Sequence, residues 1–203
     1  MTIRQKILSR FYPLLMRLVG RQQKARIKYN SQQKEPAQSI YSMKIKLADG
    51  GEMSLENQRG KKILFVNTAS DCGYTAQFSE LQALQDRFAT DLNIIGLPAN
   101  DFKEQEKSTD HEIATFCQKN YGIKFPIAAK SVVVKGAQQN PLFSWLSDSD
   151  KNGWNNQAPE WNFSKYLIDE QGLLTHYFPP GVSPLSDEVV HAVQRKIRHK
   201  RKG

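Results

Sequence analysis

A single thiol, Cys72, stands between an apolar, β-prone run, Lys62-Ile63-Leu64-Phe65-Val66, and a helical pattern that opens behind it. Sulfur placed where a helix begins feels the positive end of the helix dipole. That field favours the thiolate, which is the reactive form of cysteine. The local pattern is Cys72-Gly73-Tyr74-Thr75, C-x-x-T, so a dithiol exchanger lacks its second sulfur here. Chemistry with one attacking thiol, regenerated by another molecule or a distant residue, is the leading expectation. The other cysteine, Cys117, shares an apolar stripe with Ile113 and Phe116. Two cysteines are too few for a disulfide scaffold or a zinc site, and His111, His176, His191 and His199 show no ligand spacing near them. No metal is expected.

The elements that must hold Cys72 follow from periodicity. Ser42-Met43-Lys44-Ile45-Lys46-Leu47 alternates and is followed by the turn Asp49-Gly50-Gly51-Glu52, which predicts a hairpin. The strand ending at Val66 leads through the Cys72 turn to a helical stripe of Phe78, Leu81, Leu84, Gln85 and Phe88. Leu92–Leu97 is a second buried strand, closed by Pro98, and Thr109-Asp110-His111-Glu112 is a capping-box start for the helix of Cys117. Val132-Val133-Val134 reads as a short third strand and Pro141–Leu146 as a short helix. Tyr166–Asp169 and Leu173–Phe178 flank Glu170-Gln171-Gly172 as a hairpin, and Ser186-Asp187-Glu188 starts a last helix with Val189, Val190, Val193 and Ile197 toward the core. The order βαβα, antiparallel ββ, then α predicts an α/β, thioredoxin-like fold: a central mixed sheet flanked by helices, with an N-terminal hairpin.

Length and charge set the organisation. A chain of 203 residues suffices for one well-buried domain with a surplus at the ends. The net charge is +9, but residues 1–38 hold nine basic residues against Glu35 alone, and residues 195–203 hold six, which leaves the body between them net acidic. A nucleic-acid binder would carry its basic face on the folded part, so nucleic acid is not an expected partner. Basic tails suit an anionic membrane surface. Within residues 3–19 the apolar positions 3, 7, 11, 14 and 18 form one stripe, Pro13 would kink a helix, and the longest apolar run, Phe11–Met16, is far too short to span a bilayer. Three readings compete for this segment: an interfacial helix, a disordered extension and an atypical export signal. Residues 20–39 read as a polar linker. The divisions are therefore 1–39, an N-terminal extension and linker; 40–195, the domain; and 196–203, a basic tail.

Four separated segments then carry a resemblance to the glutathione peroxidase family over about residues 41–195: Val66–Thr75, Leu97–Glu106, Tyr121–Ile127 and Trp161–Asp169. They lie in the family's order and spacing. The resemblance implies a catalytic tetrad of Cys72, Gln105, Trp161 and Asn162, with ordinary cysteine where some members have selenocysteine. It implies a peroxidase that reduces hydrogen peroxide and organic or lipid hydroperoxides in oxidative stress defence, with no resident cofactor and with glutathione or thioredoxin as reducing co-substrate. Neutral amide and indole donors suit such chemistry, because they stabilise a developing oxyanion without fixing the sulfur in an ion pair. The first product is a sulfenic acid, which a second thiol must reduce. Some non-selenium members use a resolving cysteine about one position from Cys117, so Cys117 is either that thiol or a structural one. The short link from Leu146 to Trp161 is similar to that of monomeric members, implying a monomer. Departures are Ala99, Asp101 and Lys103, where many members have Cys, Gln and Gly. The expected location is the cytoplasm, with membrane association through residues 3–19 or an atypical export signal left open. Two other readings of Cys72 stand beside the peroxidase: a thioredoxin-like thiol–disulfide or glutathione-handling protein, and a non-catalytic redox sensor.

Overall fold

The computed structural model describes residues 2–195. In chain order its elements are α1 (Ile3–Lys24), β1 (Lys28–Tyr29), the hairpin β2 (Lys44–Lys46) and β3 (Glu52–Ser54), β4 (Lys62–Thr68), α2 (Gln77–Arg87), β5 (Leu92–Pro98) and α3 (Asp110–Tyr121). They continue with α4 (Pro141–Leu146), α5 (Ser149–Asn152), β6 (Lys165–Ile168), β7 (Leu174–Phe178) and α6 (Asp187–Gln194).

β4 is buried at every position, and a strand with no solvent face belongs in the middle of a sheet covered on both sides. It pairs in parallel with β5, Val66 opposite Gly96, and antiparallel with β6, Phe65 opposite Tyr166. The full order is β1-β7-β6-β4-β5, a mixed sheet, with β2 and β3 as a separate hairpin. Successive side chains of a strand point to opposite faces. Leu64 and Val66 accordingly join one core with α2, α3 and α6, while Ile63 and Phe65 join a second with α4, Tyr166 and Tyr177. Cys72 and Cys117 both lie in the first core.

Two expectations are corrected. Val132–Val134 is not a strand. Beside β5 the isolated bridge between Gly96 and Ile127 takes that edge, and the amide of Val133 donates instead to Asp101 Oδ2 at 2.8 Å. The polar stretch from residue 20 is partly regular: α1 runs unbroken through Pro13 to Lys24, and Lys28 and Tyr29 add a strand beside Tyr177 and His176 of β7. Its later part also docks, because Gln38 donates its amide to Lys151 O and accepts the Trp145 indole N–H at 2.8 Å. The capping box at Thr109 forms as read, and Gly122 closes α3 in the left-handed region at φ 62°. Ile197 and the tail 196–203 lie outside the described residues.

Candidate active site

The turn at the end of β4 is held by Thr75, the residue that stands where a dithiol exchanger would have its second cysteine. Its buried hydroxyl accepts the Cys72 amide at 3.0 Å and lies 2.7 Å from the Cys72 carbonyl and 3.1 Å from that of Ala69. The turn occupies residues 71–76 and α2 opens only at Gln77, so the sulfur lies ahead of the helix rather than at its first turn.

This placement corrects the expected electrostatics of Cys72. The residue is 1% exposed, and burial pushes its thiol above the ordinary value, against the lowering effects of the Tyr74 amide, the Trp161 indole and the Asn162 amide. The Tyr74 nitrogen lies 3.4 Å from the sulfur. The short-range donors Tyr74, Trp161 and Asn162 favour thiolate, and burial outweighs them.

Trp161 and Asn162 arrive on one loop and reach Cys72, and Gln105 arrives on another and meets Asn162. Asn162 Nδ2 donates to Gln105 Oε1 at 3.0 Å, while Asn162 Oδ1 is buried without a hydrogen-bond partner. The Trp161 carbonyl accepts from Asn67 Nδ2 of β4 at 3.1 Å, and Asn67 Oδ1 accepts the Ser164 amide at 3.0 Å. The Trp161 ring packs on Phe102, centroids 5.5 Å apart, and the Lys103 ammonium lies 5.7 Å from its centroid. Both loops are strained. Lys103, Glu104 and Phe163 have φ of 53°, 51° and 70°, a region that costs a non-glycine residue about 1–2 kcal/mol. Such strain concentrates where surrounding structure over-determines a functional geometry.

Glu106 is the residue that the sequence reading missed. It is 1% exposed, and its two carboxylate oxygens accept the Ser70 amide and hydroxyl, each at 2.8 Å. One residue earlier, the Gln105 carbonyl accepts the Asp71 amide at 3.1 Å. The Cys72 turn and the Gln105 segment are thus tied by both side chain and main chain. Burial raises the Glu106 carboxyl to about 7, against the lowering effects of the Ser70 bonds and of Lys130. Only its position next to Gln105 could have marked it in the sequence.

Cys117 is buried on the core side of α3, and both cysteines are free thiols. Burial first, and the Glu106 charge second, push Cys117 up to about 12. A cavity of about 560 Å³ opens beside Gln105, lined by Thr2 and Gln5 of the N-terminal segment and by Ser70, Asp71, Lys103 and Gln105 among others. Among the described residues no group of three or more His, Cys, Asp or Glu side chains could hold a metal ion.

The sequence profile named "Glutathione peroxidase" matches residues 40–147. The chain is 38% identical over 160 residues to the glutathione peroxidase homolog BsaA of Bacillus subtilis, covering 77% of this chain and 99% of that protein. This chain belongs to the glutathione peroxidase family. It is also 41% identical to the glutathione peroxidase-like peroxiredoxin gpx1 of Schizosaccharomyces pombe, over 66% of this chain and 84% of that one. Among solved structures, T. cruzi GPX1 superposes with a TM-score of 0.58 at 27% identity, covering 76% of this chain and 93% of that one. A thioredoxin-family thiol:disulfide interchange protein from Chlorobium tepidum, at 16% identity and a TM-score of 0.55 over 79% of this chain and 96% of that one, shares the fold. The thioredoxin-like fold read from the order of elements is therefore the fold of this glutathione peroxidase family member. The matched segment contains Cys72, Gln105 and Cys117, whereas Trp161 and Asn162 lie beyond it and reach the site through the fold.

Proposed function

We propose that the chain is a thiol-dependent peroxidase acting in oxidative stress defence, with residues 40–195 as the peroxidase domain. The Cys72 thiolate attacks one oxygen of a hydroperoxide; a sulfur–oxygen bond forms, the O–O bond breaks, and the departing oxyanion takes a proton to leave as alcohol or water. The convergence of neutral donors on one buried sulfur carries this reading: the Trp161 indole and Asn162 amide reach Cys72, and Asn162 is held by Gln105. Such donors stabilise thiolate and leaving oxyanion alike, and one well-placed donor of this type is worth about 2.7–4 kcal/mol. Cys72 becomes a sulfenic acid. A thiol then condenses with it, releasing water and forming a disulfide, and a second thiol reduces that disulfide.

The reading needs no resident cofactor. Glutathione or thioredoxin serves as reducing co-substrate, and Cys117, in the same core as Cys72, is the resolving thiol in the thioredoxin branch. Resolution requires α3 to open, since Cys117 is buried within a helix capped at both ends. The short link between Leu146 and Trp161 supports a monomer. Peripheral membrane contact through residues 3–19 belongs to the same proposal and is supported by exposed Ile3, Ile7, Phe11 and Leu14. No described helix is long and apolar enough to cross a membrane, and a cytoplasmic location fits two unpaired thiols.

Steady-state hydroperoxide reduction with glutathione and with thioredoxin, for wild type, Cys72→Ser and Cys117→Ser, tests the scheme. Cys72→Ser should consume no peroxide with either reductant, and Cys117→Ser should fail with thioredoxin alone. Full peroxide consumption by Cys72→Ser would refute the peroxidase reading, and thioredoxin-linked turnover without Cys117 would make that residue structural.

A further inference from the structure

α1 lies outside the residues matched by the family profile, and among its described residues it docks one side, Tyr12 included, and leaves a second apolar side uncovered. A surface helix normally buries its apolar residues against the domain and turns polar ones outward. On the docked side Tyr12 is buried, its hydroxyl donates to Glu80 Oε2 at 3.0 Å, and Gln5 Nε2 donates to the Ser70 carbonyl at 3.0 Å. Val19 and Gln23 lie over Gly181, where a Cβ would come within 3.3 Å and 2.7 Å of their side chains. Lys24 pairs with Glu188 at 2.9 Å. At about 100° per residue, positions 5, 12, 19 and 23 fall on one side of the helix and positions 3, 7, 11 and 14 on the other. That second side is in solvent: Ile3, Ile7, Phe11 and Leu14 are 79%, 50%, 59% and 54% exposed.

Charge selects what covers this face. α1 holds six basic residues and no acidic one, and Lys6 and Arg10, both exposed, border the stripe with stems long enough to snorkel. A second copy of the chain would bring the same positive charge against it. An anionic bilayer offers apolar and negative layers at the depths that the stripe and its basic border require. The start of α1 is also a wall of the cleft: Thr2 and Gln5 line the cavity that reaches Gln105, and Gln5 holds the backbone two residues before Cys72.

We infer that α1 is a bilayer-docking helix that lies in the interface of an anionic membrane and, through Gln5 and Tyr12, holds the mouth of the Cys72 site against the lipid. This rests on the peroxidase reading for its consequence, that hydroperoxides are taken from within the membrane, but its binding step does not depend on that reading. The test uses the full chain with vesicles of phosphatidylcholine alone or mixed with phosphatidylglycerol. Flotation and turnover of a phospholipid hydroperoxide in the vesicle are compared with turnover of hydrogen peroxide. Wild type should float with the anionic vesicles and less with the neutral ones. Ile7→Glu/Phe11→Glu should lose roughly tenfold or more in vesicle affinity and in embedded-substrate turnover, with hydrogen peroxide turnover unchanged. Gln5→Ala/Tyr12→Phe should still float but turn over the embedded substrate several-fold more slowly. Wild type that fails to float, or a wild-type dimer that the charged variant converts to monomer without lipid, would overturn docking. Unchanged embedded turnover in Gln5→Ala/Tyr12→Phe would overturn the orienting role. Loss of hydrogen peroxide turnover in wild type would instead count against the peroxidase reading.

Discussion

Cys72 reacts, on this reading, because two side chains, Trp161 and Asn162, and the Tyr74 main-chain amide oppose the effect of its burial, so removing one donor should be costly. Trp161→Phe keeps the ring and deletes the N–H; kcat/KM for peroxide should fall roughly 10²–10³-fold with the fold intact, measured by stopped-flow consumption. Glu106 gives a separate pH signature. Asp71, Lys130 and Cys117 are the ionisable groups that act on it or feel it, and its folded-state value, about 7, lies above the ordinary 4.5. Between those values the folded chain binds more protons than the unfolded one, so stability falls as pH rises through this window. The loss is about 3 kcal/mol at 1.36 kcal/mol per unit. Denaturant midpoints between pH 4.5 and 7.5 should therefore decline for wild type and flatten for Glu106→Gln. That Cys72, Gln105, Trp161 and Asn162 belong together was legible through the motifs around them, because those motifs are local strings. Glu106 was not, because its role lies in two hydrogen bonds to Ser70, 36 residues away. The direction of the Cys72 shift was misjudged for a related reason: a dipole can be read from sequence, but burial cannot.

Strands and helices with strong periodicity were legible as elements, including the capping box of α3 and both hairpins. Val132–Val134 misled because β-branched composition says nothing about whether a neighbouring strand edge is free. α3 is the element on which the resolving role of Cys117 turns. Thr109→Ala removes the side-chain cap on the Glu112 amide and should cost about 1 kcal/mol, read from thermal unfolding. If Cys117 must leave the core to reach a sulfenic acid, the same variant should form the Cys72–Cys117 disulfide faster after a peroxide pulse. The loop before Gln105 has the opposite problem. Lys103 occupies a left-handed conformation, and Lys103→Gly should stabilise the chain by about 1 kcal/mol while removing the cation over Trp161. Denaturant midpoints check the first effect and peroxide kinetics the second.

At the scale of the whole molecule, the N-terminal extension is two pieces with different attachments. α1 docks through buried Tyr12, through Val19 and Gln23 over Gly181 and through Gln5 and Lys24, whereas residues 25–38 carry β1, the Arg26 pair with Glu160 and the Gln38 acceptor for the buried Trp145 indole. A truncation after Lys24 removes buried Tyr12 and should destabilise modestly, with the sheet and its edge strand β1 intact. One after residue 38 should destabilise by about 1–3 kcal/mol for the orphaned indole donor alone, and calorimetry on the two shortened chains separates them. A polar, basic composition hid this difference, since Lys28 and Tyr29 have no periodicity to announce a two-residue strand. β1 also has a meaning for the chain in company. It covers the outer edge of β7, Leu174-Thr175-His176-Tyr177-Phe178, a β-prone run with open amides and carbonyls once the strap is lifted. Such an edge is a template for pairing with another chain. Proteolytic nicking between α1 and β1 would then be harmless, whereas a cut between β1 and the hairpin would set aggregation in train.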